Sequence, residues 1–283
     1  MQKEITLPQW LDNLIFDKMQ GKYCPTCGDM TVINWNKKDI LNYLGTYFPR
    51  SYAESQYIFS QISNELKGLL GEKKEIRIFD FGCGTGGEII AFLEIIHTVC
   101  PKLQQVEVAA FDGNPHALRC LEKIIEELQK SVQYSIRVRT IPVEIDDFYD
   151  LSIVEETISG KYDIMFTFKA VCEFVTKERF EQDNAYEHIA KFFMNSLSTN
   201  GIALIEDVTS YNNVASEWLP KMMDKGLKNI DCNILHQNEG YNQSLMVSHS
   251  RRKRDTSKVA WRVFTKNKLY KNEKGLDDKR VRT

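Results

Sequence analysis

Apolar runs of strand length alternate with helical patterns from residue 75 onward, and this alternation constrains the fold more than any other feature. The predicted strands are, in chain order, IRIFDF, QVEVAAFDG, SIRVRTIPVEI, YDIMFTF and GIALIEDV. Strands separated by helices at this spacing form a parallel sheet that is covered on both faces. Near the end, SLMVSHS and KVAWRVFTK flank a basic loop and predict an antiparallel hairpin. The sequence therefore predicts an α/β fold with a mostly parallel, seven-stranded sheet and a C-terminal antiparallel hairpin.

The chain before this alternation predicts helices instead. LPQWLDNLIFDKMQ and KKDILNYLGTYF carry apolar residues at spacings of three and four. Ser51 is the predicted start of a further helix, with Glu54 three positions later as the second member of a capping box. We expect a helical extension or lid at residues 1–72, the main domain at 73–266 and a basic tail at 267–283.

Charge is distributed unevenly along the chain. From Arg251 to the end there are 13 Lys and Arg against 4 Asp and Glu, although the whole chain carries a net charge of −2. Such a separation indicates that the C-terminal region meets an anion. In KVAWRVFTK, strand alternation places Val259, Trp261 and Val263 on one buried face and Arg262 and Lys266 opposite. The basic residues are expected to follow a phosphate backbone, or else to form a solvated hairpin tip and tail.

The first residues and the cysteines predict a compartment. MQKEITLPQW lacks the basic start and apolar core of a secretory signal, and no stretch has the roughly 18 apolar residues of a membrane span. The seven cysteines are scattered and odd in number. These features predict reduced thiols and a cytoplasmic protein that does not contact a membrane.

The glycine-rich turn GCGTGG follows the first predicted strand and precedes a helix. Gly82, Gly84 and Gly87 match the dinucleotide fingerprint G-x-G-x-x-G, and Gly82, Gly84 and Gly86 match G-x-G-x-G. Both patterns let a ligand approach the backbone where a Cβ would block it. The glycines predict a nucleotide-like cofactor but do not choose which one.

Neighbouring residues favour S-adenosylmethionine over NAD. Asp80 lies two residues before the first glycine, where it would repel a pyrophosphate but attract an ammonium and a sulfonium. The glycine turn also follows a helical segment, whereas dinucleotide domains often begin with their first strand. Asp112 ends the second strand and can accept both ribose hydroxyls, a feature that both cofactors share.

At this point the chain resembles the class I S-adenosylmethionine-dependent methyltransferases, which have a Rossmann-like sheet. FDFGCGTGGE resembles their first motif, AFDGNPHAL their second, VEIDDFYD the loop after their third strand and YDIMFTFKAV their fourth strand. The resemblance covers roughly residues 50 to 266. It implies that Asp80, Gly82, Gly84 and Gly86 hold the methionine portion of the cofactor.

The same resemblance implies a set of residues for the adenosine portion. Asp112 would bind the ribose, and Asn114 is a further cofactor-binding candidate that also caps the helix that starts at Pro115. Asp146, Asp147 and Phe148 would line the adenine region, and the pattern does not decide which of the three faces the base.

A narrower resemblance concerns two segments. YFPRSYAESQYIF and LIEDVTSYNN are similar to a bacterial and mitochondrial family of small-ribosomal-subunit methyltransferase-like proteins. Members of that family carry a cysteine cluster for a metal centre after the fifth strand. This chain has only Cys232 there, so no metal centre of that kind is expected.

The end of the fourth strand, FKAVCEFV, is where the methyl acceptor is expected. It lacks the Asn/Asp-Pro-Pro-aromatic signature of enzymes that methylate exocyclic base amines. Lys169 and Glu173 are its polar residues and the candidate catalytic groups. Glu173 either orients or deprotonates the acceptor or serves as a helix-start carboxylate, and Lys169 either contacts substrate or points to water.

Two further pairs carry alternatives. Arg50 and Tyr52 either close over the cofactor, with Arg50 at its carboxylate, or belong to a capping arrangement around the helix start. In YCPTCGDM, Cys24 and Cys27 form either half of a zinc ribbon or a reduced turn, and the absence of a second half favours the turn.

The sequence therefore predicts an S-adenosylmethionine-dependent methyltransferase that acts on RNA or a ribonucleoprotein through its basic C-terminal region. One alternative is a small-molecule methyltransferase in which the helices before residue 72 form a lid over a buried pocket. Another is an assembly factor that binds S-adenosylmethionine without turnover.

Overall fold

The computed structural model describes residues 4–25, 35–175 and 184–267. Its helices are α1 (Gln9–Asp12), which continues as a π-helical turn over Asn13–Lys18, α2 (Lys37–Thr46), α3 (Phe48–Gln61), α4 (Ser63–Leu70), α5 (Gly87–Val99), α6 (Pro115–Leu128), α7 (Ser152–Thr157), α8 (Val171–Phe174), α9 (Ala185–Ser196) and α10 (Leu219–Lys228). Its strands are β1 (Glu4–Thr6), β2 (Glu75–Phe81), β3 (Gln105–Asp112), β4 (Ser135–Pro142), β5 (Tyr162–Phe168), β6 (Leu197–Val208), β7 (Tyr211–Asn212), β8 (Glu217–Trp218), β9 (Asn233–Asn238), β10 (Leu245–His249), β11 (Arg252–Ser257) and β12 (Val259–Thr265).

Seven strands form one sheet in the order β4, β3, β2, β5, β6, β12, β9. Neighbours run parallel from β4 to β6, whereas β12 is antiparallel to both β6 and β9. The chain enters the sheet at β2, the middle one of its five parallel strands, moves outward to β4 and returns to β5 on the other side of β2. Ligands bind at the carboxyl ends of the strands where such an order reverses, here between β2 and β5. The predicted Rossmann-like, mostly parallel sheet is confirmed.

The predicted C-terminal antiparallel hairpin is present, but β10 and β11 form it, with Met246 opposite Thr256. The predicted pairing of SLMVSHS with KVAWRVFTK was wrong, because β12 lies between β6 and β9 and is antiparallel to both. SLMVSHS contains β10, which lies in a second sheet of the order β1, β10, β11. The predicted basic loop is itself the strand β11, which pairs with β10, and its Asp255 is buried and accepts two hydrogen bonds from Arg50.

Apolar side chains cover both faces of the large sheet. Alternation along β2 sends Ile76 and Ile78 into the core beneath α3, α5 and α6 and sends Phe79 and Phe81 into the core beneath α9 and α10. Asp80 therefore lies on the same face of the sheet as Ile78. It is fully buried there. This places a carboxylate inside an apolar core next to the reversal point of the strand order.

The N-terminal extension is joined closely to the rest of the chain and is not entirely helical. Strand β1 runs parallel to β10, with Glu4 opposite Met246. Helix α3 crosses the start of α5 so closely that a Cβ at Gly87 would lie 2.4 Å from the carbonyl oxygen of Phe48. The expected limits of the extension and main domain stay a prediction, and residues 268–283 of the expected tail lie outside the described residues.

Helix α3 starts earlier than predicted. It begins at Phe48, with Pro49 in its first turn, where the missing N–H and the fixed φ suit a helix start. Ser51 is therefore inside the helix, and the predicted capping box of Ser51 and Glu54 was wrong. No helix within the three described ranges combines the length and the apolar character needed to cross a bilayer.

Arg262 differs most from its predicted environment. It was placed on the face opposite Trp261, toward an external anion, but it is fully buried. Its Nε donates to Asp224 over 2.8 Å and its Nη2 to Glu239 over 3.0 Å. Further hydrogen bonds go to the carbonyl oxygens of Asn238, Trp261 and Pro220. The guanidinium therefore joins β12 to α10 and the end of β9, and is not available to a ligand.

Replacing Arg262 by Met keeps most of the side-chain volume but leaves the carboxylates of Asp224 and Glu239 without their partner. We expect Arg262→Met to lower the free energy of unfolding by about 3 kcal/mol, the lower end for a broken buried ion pair, since both carboxylates are partly exposed. Urea unfolding measures this. The exposed Lys253→Met is the control and should change the value by less than about 0.5 kcal/mol. Equal stability of the two variants would contradict a structural role for Arg262.

Candidate functional site

The glycine turn between β2 and α5 forms the floor of the candidate site. Gly82, Gly84 and Gly86 have φ values of 74°, 51° and 76°, in the left-handed region that side chains with a Cβ rarely adopt. The N–H groups of Gly82 and Cys83 donate to the carbonyl oxygen of Phe111 over 2.9 and 3.0 Å. This ties the turn to the end of β3. The turn therefore keeps a fixed shape at the reversal point of the sheet.

Asp112, at the end of β3, holds the same turn through its side chain. One carboxylate oxygen accepts from the N–H of Gly84 at 2.7 Å and the other from the N–H of Asn114 at 2.8 Å. Burial raises the pKa of Asp112 to about 6, although both N–H groups favour the ionised form. A carboxylate has about four lone-pair sites, so two accepted bonds leave capacity for ligand hydroxyls.

Asn114 caps the helix that follows, as predicted. Its amide oxygen accepts from the N–H groups of His116 and Ala117, and Pro115 occupies the first turn of α6. Its amide nitrogen donates to the carbonyl oxygen of Trp35 over 2.9 Å. Asn114 therefore connects the site to the N-terminal extension, and its role at a cofactor stays a prediction.

Four carboxyls and one ammonium are buried together beneath the turn, and we call this group the acidic cluster. Its members come from α3, β2, α5, β6 and the residue after β5: Glu54, Asp80, Glu88, Glu206 and Lys169. Lys169 Nζ and Glu54 Oε2 are 2.5 Å apart. Both oxygens of Asp80 and of Glu206 are buried and accept no hydrogen bond from any group in the described parts of the chain. With every carboxyl ionised, the cluster would carry three uncompensated negative charges.

Uncompensated charges at this depth must be partly removed by protons. Burial raises the pKa of Asp80 well above its usual range, and the nearby carboxyl of Glu88 raises it further. Burial also raises the pKa of Glu88 to about 7, and burial followed by Glu54 raises that of Glu206 well above normal. The carboxyls of Asp80 and Glu88 affect each other's pKa, so the two groups do not both ionise easily at neutral pH. The free protein therefore holds protons here that a cation would displace.

Sequence reasoning missed Tyr43, which covers the turn. A Cβ at Gly84 would lie 2.8 Å from the Tyr43 hydroxyl, so the phenol rests directly on the bare backbone. Burial raises the pKa of Tyr43 well above normal, and the Glu173 carboxyl is the largest electrostatic contributor after it. Trp35 and Tyr47 pack against the Tyr43 ring at 5.8 and 5.0 Å between centroids. The signal in the sequence was an aromatic residue within the apolar stripe of α2, which usually indicates core packing alone.

The two candidate catalytic residues have different environments. Lys169 was expected to reach substrate or water, but its side chain is only 8% exposed, because Glu54 on α3 binds its ammonium. The attraction of Glu54 and Glu206 outweighs burial and raises the pKa of Lys169, so it stays protonated at neutral pH. Its φ of 56° is uncommon for a residue with a Cβ. Glu173 lies in α8, and its charge raises the pKa of Tyr43 in addition to burial.

Arg50 and Tyr52 bind other parts of the protein. Arg50 donates to both oxygens of Asp255 over 2.7 and 2.8 Å, a bidentate pair that joins α3 to β11. The Tyr52 hydroxyl donates to Glu94 on α5 over 2.5 Å. The structure therefore does not bring either polar group to the glycine turn. Sequence reasoning missed these partners because they are distant in the chain.

The loop after β4 contributes one ring and two exposed carboxyls. Phe148 is buried against Phe81 at the end of β2, with ring centroids 6.2 Å apart. Asp146 and Asp147 are exposed, and Asp147 accepts a hydrogen bond from the N–H of Tyr149. The structure thus places Phe148 beside the residue that precedes Gly82, and the role of this loop at an adenine stays a prediction.

The predicted cysteine pair is only half described. The N–H of Cys24 donates to Thr46 over 2.8 Å, whereas Cys27 lies outside the described residues, so the zinc and reduced-turn interpretations are not tested. Within the described part of the chain, no group of three or more His, Cys, Asp or Glu side chains could hold a metal ion. Cys232 belongs to the core beneath α9 and α10.

No family model and no curated protein matches this chain. Solved structures of methyltransferases are similar to it. A candidate class I S-adenosylmethionine-dependent methyltransferase from Listeria monocytogenes is 13% identical over 84% of this chain and 71% of that chain, with a TM-score of 0.48. A candidate RNA methyltransferase from Pyrococcus horikoshii is 12% identical over 92% and 100%, with a TM-score of 0.46. An S-adenosylmethionine-dependent methyltransferase from Aquifex aeolicus is 10% identical over 82% and 98%, with a TM-score of 0.45.

The raised pKa values of the acidic cluster predict a pH-dependent stability difference between the wild type and Glu88→Gln. The folded state holds the Glu88 proton to about pH 7, whereas the unfolded chain releases it near pH 4.5. The contribution of this proton to stability is complete below the pKa of Glu88 in the unfolded chain, and it is lost as pH rises through the pKa of Glu88 in the folded protein. Gln is neutral at every pH, so its stability relative to wild type should rise by roughly 2 to 3 kcal/mol from about pH 5 to about pH 8.

Urea unfolding across this pH range measures the difference. Glu126→Gln, at an exposed position on α6, is the matched control, and its difference from wild type should stay constant. A Glu88→Gln difference that is equally constant would mean that Glu88 is ionised in the folded protein at all these pH values, and the account of protons held in the acidic cluster would be wrong.

Proposed function

We propose that the protein is an S-adenosylmethionine-dependent methyltransferase that acts on RNA or a ribonucleoprotein. The observation that carries the cofactor assignment is the acidic cluster, in which Asp80 and Glu206 offer four buried oxygens without hydrogen-bond partners. Buried charges of one sign need a partner of the other sign. S-adenosylmethionine offers an ammonium and a sulfonium, whereas the pyrophosphate of NAD would be repelled.

The residues around the turn fit the rest of this cofactor. Asp80 and the left-handed glycines would hold the methionine portion, and Asp112 has remaining lone pairs for the ribose hydroxyls. The ring of Phe148 would line the adenine region. When bound, S-adenosylmethionine supplies a methyl group on a sulfonium that is already activated by its charge.

The chain then has to align an acceptor and exclude water, which is mainly an orientational task. Tyr43 keeps its proton, since its pKa is raised, and can donate a hydrogen bond across the glycine turn. Glu173 beside it is the candidate to orient or deprotonate the acceptor. Lys169 is protonated and bound to Glu54, so it cannot serve as a base at neutral pH. Its positive charge instead compensates one of the negative charges of the acidic cluster.

The acceptor assignment rests on the basic C-terminal region. Arg252, Lys253 and Arg254 in β11 are exposed, next to Asp255, which Arg50 neutralises. Such a row of cations can follow a phosphate backbone, with an affinity that falls as salt rises. Cytoplasmic location and RNA binding belong to this proposal.

A small-molecule methyltransferase is the second candidate, because Tyr43 and its helix cover the glycine turn as a lid over a buried pocket would. Labelled S-adenosylmethionine incubated with fractionated cell extract separates the candidates. Label in RNA or ribonucleoprotein supports the first, label in the small-molecule fraction supports the second, and cofactor binding without any label transfer supports an assembly factor.

S-adenosylmethionine and its demethylated product should raise the melting temperature, since each binds the folded state alone. At a concentration about 100 times the dissociation constant, the stabilisation is about 2.7 kcal/mol. NAD at the same concentration is the control and should leave the transition unchanged. Thermal scans in which NAD shifts the transition and S-adenosylmethionine does not would overturn the cofactor assignment.

Asp112 variants test the ribose contact. Asp112→Ala removes charge-assisted hydrogen bonds of about 1.5 to 3 kcal/mol each, so cofactor affinity should fall about 10- to 100-fold per bond. The cofactor affinity of Asp112→Asn should lie between those of the wild type and Asp112→Ala, because an amide oxygen accepts hydrogen bonds without charge assistance. Calorimetric titration measures the affinities, and circular dichroism checks that the variants fold despite the unpaired N–H groups of Gly84 and Asn114. Equal affinities in three folded proteins would place the ribose elsewhere.

A further inference from the structure

A cluster of aromatic rings lies beyond the end of β6, outside the site described above. The short ladder of β7 and β8 places Tyr211 opposite Trp218, with ring centroids 5.2 Å apart. The Tyr241 ring lies 5.4 Å from Trp218 on the other side of the cluster. We call these three residues, with the lysines that line the same cavity, the aromatic cleft.

The backbone fixes the position of Tyr241. Gly240 before it has a φ of 70°, and a Cβ there would lie 2.0 Å from the carbonyl oxygen of Val259. The N–H of Gly240 donates to the side chain of Asn238 over 2.6 Å. The turn after β9 therefore presses against the start of β12 and directs Tyr241 toward Trp218.

Two large aromatic side chains of the aromatic cleft are exposed to solvent, whereas most aromatic side chains in the described residues are buried in the cores. Trp218 is 46% exposed and Tyr211 41%, which makes them two of the three exposed large hydrophobic residues of the described chain. The Tyr241 hydroxyl is buried and has no hydrogen-bond partner among the described residues. A buried hydroxyl without a partner is uncommon, and an acceptor on a ligand in the cleft could complete it.

Charge and size narrow the class of ligand. The cleft has a volume of about 490 Å³, within the range of small-molecule and nucleotide sites, and is lined by Thr209, Trp218, Lys221, Tyr241 and Lys258. No ion pair within the described part of the chain involves the exposed Lys258. Lys221 lies 3.5 Å from Glu239, a carboxylate that the buried Arg262 already neutralises. The lining thus combines aromatic rings with cations and holds no aliphatic side chain.

The cleft opens at the functional edge of the sheet. Thr209 directly follows β6, and Lys258 directly precedes Val259, which pairs with Val208 at the end of that strand. Lys169 likewise follows β5, and the glycine turn follows β2. Because these strands are parallel, their carboxyl ends share one edge, and the cleft lies on the side of the candidate methyl acceptor.

We propose that the aromatic cleft binds an unpaired nucleobase of a single-stranded RNA acceptor, stacked on Trp218, while Lys221 and Lys258 contact the flanking phosphates. This inference rests on the proposed function and names the single-stranded form of its substrate. Base stacking on exposed aromatic side chains beside cations is the usual mode of single-strand recognition. An apolar peptide would match the rings but would leave both lysines without an anion.

Fluorescence anisotropy with a short labelled single-stranded RNA of mixed sequence tests the cleft. Trp218→Ala should weaken RNA binding about 5- to 100-fold, and Trp218→Phe should retain most of the affinity because a ring remains. Ile153→Ala, at the third exposed large hydrophobic residue, is the matched control and should bind as the wild type does. Lys258→Gln should reduce the slope of log affinity against log salt by about 0.7.

Two results would overturn this inference: an RNA affinity of Trp218→Ala equal to that of the wild type, or a wild type that binds an apolar peptide at Trp218 and no single-stranded RNA. Calorimetric titration of S-adenosylmethionine into the same proteins distinguishes a failure of the RNA-binding cleft from a failure of the proposed methyltransferase function. Cofactor affinity should be equal in all variants, which shows that they fold. An RNA affinity that depends on Trp218 in a protein that binds no cofactor would confirm the cleft and overturn the methyltransferase assignment.

Discussion

The buried ion pair between Lys169 and Glu54 is the interaction on which the arrangement of the site depends. It joins α3 of the N-terminal extension to the end of β5 across 115 residues of sequence. It also supplies the only cation of the acidic cluster. Because Asp80, Glu88 and Glu206 share that one cation, the cluster is stable without a ligand only when it holds protons. A cationic ligand would replace those protons, so the same charges that destabilise the free protein at higher pH would favour binding of S-adenosylmethionine.

The two ends of the described chain hold the extension over this cluster. Asp255 in β11 binds Arg50 of α3 and the hydroxyl of Tyr23, and β1 pairs with β10. Trp35 and Tyr43 are thereby held against Asn114 and Gly84 at the carboxyl edge of the sheet. The cover of the site is therefore not an independent lid, because its position depends on contacts made by the C-terminal strands.

The sequence predicted the features of the fold that depend on residues close together in the chain. The strands from β2 to β6, the left-handed glycines and the cap at Asn114 follow from apolar runs, from the freedom of glycine and from a side chain that bonds its own helix. The predicted environments of Lys169 and Arg262 were wrong for two reasons. Their partners, Glu54 and Asp224, are distant in sequence, and isolated lysines and arginines are usually exposed. The predicted partner of β12 was also wrong, because β12 pairs with β6 and β9, which are distant in sequence, while the neighbouring β10 pairs with β11 in a second sheet. Tyr43 was missed because an aromatic residue in an apolar stripe usually packs in a core.

The exchange of protons for a cofactor cation is the central claim, and proton release on binding tests it most directly. Titration of S-adenosylmethionine into the protein near pH 6.5, in two buffers with different ionisation enthalpies, separates the enthalpy of binding from that of proton transfer. With the pKa of Glu88 near 7, the account predicts release of roughly one proton per cofactor bound, and clearly less in Glu88→Gln. Binding without proton release, or uptake of protons equal in both proteins, would contradict it.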